Sequence, residues 1–255
     1  MARMKAVQHE DRLSLVEHLD ELRTRLIVSV AVFGVALALC FWQNHLLLEL
    51  ARAPLPPGHE KLLTLGITEP FTTTLTISAY AAIILSLPIV LYQLYAFVLP
   101  AFSERERRVV TPLLFMIPLL FVAGIAFAFF IVMPAATKFL LNFNDHQFNV
   151  QVRASDYYSF MATTVLAVAV IFQMPVGILA VTRLGLVTRE QLSKNRRYAY
   201  LIISIVAAAL PGVDPVTMLV EMVPLLALYE ISILLARAFG RPGGATVPEP
   251  STQGT

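Results

Sequence analysis

A helix needs about 20 mostly apolar residues to cross the ~30 Å hydrocarbon core of a bilayer, and this sequence holds four such runs. They fall at 26–42 (extending toward 50), 77–99, 109–133 and 157–181. A further apolar stretch, 198–235, is interrupted by Leu210-Pro211-Gly212-Val213-Asp214-Pro215. Two prolines and a glycine end any single helix, so this stretch reads as two. The first of the pair, 198–210, is short, covering roughly 20 Å at ~1.5 Å per residue. Local bilayer thinning or tilt should accommodate it. With 57% hydrophobic and 14% charged residues, a soluble domain is excluded, since charged residues there make up about a quarter. The expected fold is therefore an all-α, polytopic membrane protein with six transmembrane helices.

Charge placement fixes the expected orientation. Counted connection by connection, 15 of the 19 Lys and Arg residues fall on the side of the N-terminus and four on the other. By the positive-inside rule this puts both termini in the cytoplasm. An even number of spans is needed for that, which supports six over five. Three parts follow: a cytoplasmic amphipathic segment at 1–25, a six-helix domain at 26–238 and a disordered cytoplasmic tail at 239–255, rich in Gly, Pro, Ser and Thr. In the first part Leu15, Leu19, Leu22 and Leu26 recur at helical spacing between Glu17, Asp20, Glu21, Arg23 and Arg25. Ser14 and Glu17 have capping-box spacing, so this helix is expected to start there, lie on the membrane surface and run into the first span.

The single cysteine, Cys40, excludes an intramolecular disulfide. No metalloprotease, phosphate-loop, dinucleotide, serine-elbow or CxxC motif is present, so neither an enzyme nor a cofactor is expected. His9, His18, His45, His59 and His146 lack ligand spacing, and they read as solvated rather than metal-bound. Prolines are frequent at membrane depth: Pro88, Pro112, Pro118, Pro134, Pro175 and Pro224. Each removes a backbone hydrogen bond and tends to bend its helix, and together they suggest a curved, groove-bearing molecule.

Polar groups within spans carry a presumption of function. Gln173, before Pro175 in the fourth span, either satisfies a carbonyl that the proline frees or meets a partner helix. Asp214 should cap the last helix, with Pro215 at its first position. Glu230 lies near the cytoplasmic end and can snorkel, whereas Glu221 is deep and needs water or a partner. On the cytoplasmic face, Ser103-Glu104-Arg105-Glu106-Arg107-Arg108 joins spans two and three. It reads as a capped, positive-inside loop, or as carboxylates placed to receive a guanidinium through paired hydrogen bonds.

Several ordered motifs resemble the TatC family, from about residue 14 to residue 238. They are His18-Leu19-Asp20-Glu21-Leu22-Arg23, Ala53-Pro54-Leu55, Leu91-Tyr92-Gln93-Leu94-Tyr95-Ala96-Phe97 through Glu106-Arg107-Arg108, Phe172-Gln173-Met174-Pro175-Val176, and 210–214. The resemblance implies a concave, glove-like bundle with short fifth and sixth helices in the bacterial cytoplasmic membrane. It implies a receptor for twin-arginine signal peptides that assembles with TatA and TatB, self-associates, and exports folded proteins on the proton-motive force, with no nucleic acid involved. Carried over, Glu21 and Glu106 would bind the arginine pair, with Arg23, Phe97 and Arg108 shaping the surface. Gln173, Met174 and Pro175 would contact partner helices, and Pro54, Phe71 and Asp214 would serve structural roles toward the periplasm. Many relatives carry glutamate where this chain has Gln173, and an amide cannot titrate. A small-solute transporter is the rival from another class, but it requires paired broken helices and an inverted repeat, and neither is visible. A scaffold without receptor activity would share the same partners, and peptide crosslinking separates the two.

Overall fold

The computed structural model describes residues 7–58, 61–98, 115–143, 146–147, 150–183, 185–211 and 214–239. Helix α1 is one unbroken element, Val7–Trp42. The expected start at Ser14 is thus corrected: the helix begins upstream of the capping-box residues, and no boundary separates the amphipathic segment from the span. A short α2, Asn44–Arg52, follows at the far end of the bundle. Helix α3, Glu69–Val98, returns and packs along α1. The next crossing is composite, with α4 at Met116–Phe127, a π-helical stretch at Ala128–Val132 and α5 at Met133–Asn142. Helices α6, Ala154–Ile171, and α7, Met174–Arg183, form the fourth. A surface helix α8, Arg189–Lys194, leads into α9, Arg196–Ala209, and α10, Pro215–Phe239, completes the chain.

Among the described residues five helices are long and apolar enough to cross a membrane: His18–Trp42, Glu69–Val98, Met116–Asn142, Ala154–Arg183 and Pro215–Ala238. The fifth of the six expected spans falls on α9, whose 14 residues extend about 21 Å at 1.5 Å per residue, so it is not among these five and the expected count of six is not matched by length. It is short, as the sequence indicated, whereas α10, also expected to be short, has 25 residues and is long enough to cross. Large apolar side chains cover the outside, Leu39, Trp42, Phe130 and Leu201 among them, as lipid in place of water permits.

Some prolines sit where a missing amide costs little. Pro118 and Pro175 lie in the first turn of α4 and α7, whose amides have no intrahelical partner in any case, whereas Pro134 follows the π stretch without a break. Pro88 and Pro224 are carried inside regular α-helix. The π stretch immediately precedes Pro134, and its wider turns absorb the interruption without ending the crossing. Pro112 lies outside the described residues.

The core follows α6, which packs on both α3 and α4. Its closest approach is at Gly124 of α4. A Cβ there would stand 2.9 Å from the Ala169 Cα and 2.9 Å from the Phe172 Cβ, so only glycine fits this crossing. Gly124→Ala should therefore lower stability by about 1–3 kcal/mol, the usual cost of overpacking. Reversible SDS unfolding in mixed micelles would measure it, and an unchanged midpoint would disprove the close approach.

Candidate functional site

At the N-terminal end of the bundle, residues one helical turn apart on α1 meet the end of α3. The Glu21 Oε1 accepts from the Arg25 Nε at 3.0 Å and from its Nη2, the i,i+4 spacing that brings helix side chains together. The Arg25 Nη1 in turn donates to the Gln93 Oε1 at 2.9 Å, tying α1 to α3. The His18 ring stacks on Phe97, with centroids 4.2 Å apart and planes 11° from parallel. Its Nδ1 lies 3.6 Å from the Glu21 Oε2. His18 was expected to be solvated. Although half-exposed, it is a positioned ring that links Glu21 to Phe97.

Two of the five candidate peptide-contacting residues, Glu21 and Phe97, are thus brought together. Arg23 is exposed on α1 and joins none of these contacts. Glu106 and Arg108 lie outside the described residues. Arg25 engages Glu21 through Oε1 alone, which leaves Oε2 bordered by the half-exposed His18. A carboxylate oxygen at an exposed, aromatic-flanked edge is suited to accept from an incoming guanidinium. Around it, Leu19, Leu22 and Leu26 are exposed rather than packed into the bundle.

Gln173 occupies the break between α6 and α7. The backbone recovers there through short turns, with the Gln173 amide bonded to the Val170 carbonyl (3.0 Å) and the Val176 and Gly177 amides to the Gln173 carbonyl (3.1 and 3.0 Å). The side chain therefore does not mend its own helix. Instead the Nε2 donates to the Ile117 carbonyl of α4 at 3.3 Å. The Oε1 is buried without a hydrogen-bond partner. Pro175 is fully buried beside it, and Met174 packs on the cluster shared by α7, α9 and α10.

The remaining sequence candidates have structural surroundings. Asp214 caps α10 as expected, accepting from the Thr217 amide (2.7 Å) and hydroxyl (2.6 Å). The Pro54 carbonyl accepts from the Thr137 hydroxyl at 3.1 Å, and the exposed Phe71 meets Phe41 edge-on at 6.5 Å. Glu230 accepts from the Tyr200 hydroxyl (2.6 Å) and pairs with Arg196 (3.0 Å). Glu221 is 2% exposed and its Oε1 has no partner.

Sequence reasoning missed the strongest far-end contact. Glu69, the buried first residue of α3, accepts from the Leu65 and Gly66 amides (2.7 and 3.2 Å) and from Arg153 (2.9 and 3.4 Å). Beside it a single parallel bridge joins Leu63 to Arg153. The Glu69 carboxylate, by hydrogen bond and by charge, holds the Arg153 guanidinium above its usual range. The only local signal was an acidic residue ahead of Pro70 at a helix start. The partner lies too far along the chain for spacing to reveal it.

The sequence model of one family, described as Sec-independent protein translocase protein (TatC), matches residues 17–224. The chain is 36% identical to the Sec-independent protein translocase protein TatC of Carboxydothermus hydrogenoformans, over 89% of this chain and 95% of that one. It is 36% identical to the Aquifex aeolicus protein of the same name, over 88% and 95%. A chloroplastic relative from Arabidopsis thaliana is 33% identical over 93% and 71%. Among solved structures, a crystal structure of a twin arginine translocase receptor, TatC, superposes with a TM-score of 0.75 at 36% identity, covering 88% of this chain and all of the other.

Gln173→Leu should change stability by less than about 1 kcal/mol. It removes one hydrogen bond, worth ~1 kcal/mol net, and with it a buried oxygen that has no partner. SDS unfolding of the purified variant measures this; a loss of several kcal/mol would show that the amide is a structural keystone.

Proposed function

The chain belongs to the TatC family of Sec-independent protein translocase proteins, and on that footing we propose that it receives twin-arginine signal peptides at the end of the bundle that carries Glu21. It is a multi-pass membrane component of that translocase, a role that the small-solute alternative does not share. The observation that carries the proposal is the Glu21 carboxylate, held on α1 by Arg25 with its Oε2 at an exposed edge next to the His18–Phe97 stack.

One arginine of the pair docks on Glu21 and the other on Glu106, a few residues beyond Phe97 in the sequence. Phe97, Arg23 and Arg108 shape the surface around them. At a lipid-bordered surface these charge pairs are stronger than in bulk water. The apolar segment of the peptide then lies along the exposed Leu19, Leu22 and Leu26 stripe. Both termini lie in the cytoplasm of a bacterial inner-membrane topology, supported by the excess of Lys and Arg on their side. Partner helices of TatA and TatB, or of a second copy, dock at the partly exposed Gln173 and Met174, with the buried Pro175 fixing the bend that presents them. A hydrogen bond between membrane helices is worth about 0.6 kcal/mol, which suits reversible assembly. Pro54, Phe71 and Asp214 hold the periplasmic side.

Glu21→Gln and Glu106→Gln should each weaken binding of a twin-arginine peptide to the detergent-purified protein by about tenfold or more, as expected for a hydrogen bond between charged groups. A lysine-pair peptide should bind less well than the arginine pair. Equal affinity for both peptides, together with no effect of either substitution, would overturn the receptor reading. Separately, Gln173→Leu should spare peptide binding but reduce co-purification with TatA or TatB; unchanged recovery would remove Gln173 from the docking surface.

A further inference from the structure

At the end of the bundle opposite Glu21, where α3 and α6 begin, a pocket of about 490 Å³ opens between α2 and the start of α3. Its wall is of two kinds. Arg52 and Lys61 supply two positive charges, while Leu48, Leu62, Pro70 and Ala154 supply apolar surface. The Leu48 carbonyl seats one side, taking the Arg52 Nε at 3.3 Å and the Tyr158 hydroxyl at 3.4 Å. The buried Thr73 hydroxyl, also on the lining, has no hydrogen-bond partner.

Among the described residues no carboxylate forms an ion pair with Arg52 or Lys61. Glu69, adjacent to Pro70, is already engaged by Arg153 and two backbone amides. Two unpaired cations on a half-apolar wall, at the level where spanning helices leave the hydrocarbon, fit an anion that itself carries an apolar body. We propose that this pocket binds the phosphodiester headgroup of an anionic phospholipid from the leaflet at that end, with Arg52 and Lys61 on the phosphate and the leucines against the glycerol and upper acyl chain. A bound lipid would brace the α2 and α3 ends against each other. Free phosphate shares the charge but has no use for the apolar wall.

The test is native mass spectrometry of the full chain, released from detergent micelles after titration with phosphatidylglycerol or phosphatidylcholine. Each basic residue near an anionic lipid surface contributes about fivefold in affinity. R52Q/K61Q should therefore weaken phosphatidylglycerol binding by roughly 25-fold, while the charge-retaining R52K/K61R stays close to the unsubstituted chain. Phosphatidylcholine should bind more weakly than phosphatidylglycerol and respond less to R52Q/K61Q. Phosphatidylglycerol affinity that survives R52Q/K61Q would overturn the site, as would equal loss in R52K/K61R. Displacement of the lipid by millimolar inorganic phosphate would overturn the lipid assignment in favour of a free anion.

Discussion

In lipid every backbone amide and carbonyl must find its partner within the protein, because no water is present to supply one. That constraint explains why the crossings are helical and also where they depart from regular helix. The π stretch at Ala128–Val132 and the turn at Phe172–Gln173 each come just before a proline that opens the next segment. In both places the chain rearranges its hydrogen bonds rather than leaving them open. Irregularity is confined to points where a neighbouring helix covers it, as at Gly124, where α4 lies against α6 closely enough to exclude a methyl group.

The far end of the bundle obeys the same rule with different means. There the chain leaves helix, and its exposed carbonyls are taken up by side chains from distant spans. The Tyr157 hydroxyl bonds to the Ala51 carbonyl at 2.7 Å and that of Thr137 to the Pro54 carbonyl, both with buried partners. Glu69 gathers two loop amides and one guanidinium. These contacts pin the end of α2 and the loop after it to the starts of α3 and α6 and to the end of α5. Among the described residues they leave Arg52 and Lys61 without a carboxylate partner, in contrast to Arg153 on the same surface.

What could be read from the sequence was whatever depends on local composition. Span positions, the short fifth helix and the Asp214 cap follow from apolar run length, proline placement and a three-residue hydrogen-bond spacing. Helix starts were less legible. Ser14 and Glu17 have capping-box spacing but lie inside α1, because good helix formers continue upstream of them. Contacts that join distant spans were not legible at all. Glu69 with Arg153, Arg25 with Gln93, and Gln173 with the Ile117 carbonyl depend on which helix faces which, and hydropathy does not encode that.

Gln173 shows how the two scales combine. Its position before a proline marks a break, yet its side chain serves a neighbouring helix and leaves one buried oxygen unmatched. A glutamate there would face the same surroundings with a charge that burial opposes, and it would have to take a proton or recruit a donor. The amide avoids that titration while keeping an acceptor. A contact made through it is governed by hydrogen-bond geometry rather than by local pH, so any dependence of assembly on the proton gradient must enter through other groups. The buried Glu221 carboxyl, with one oxygen likewise unmatched, meets the same constraint with an acid in place of the amide.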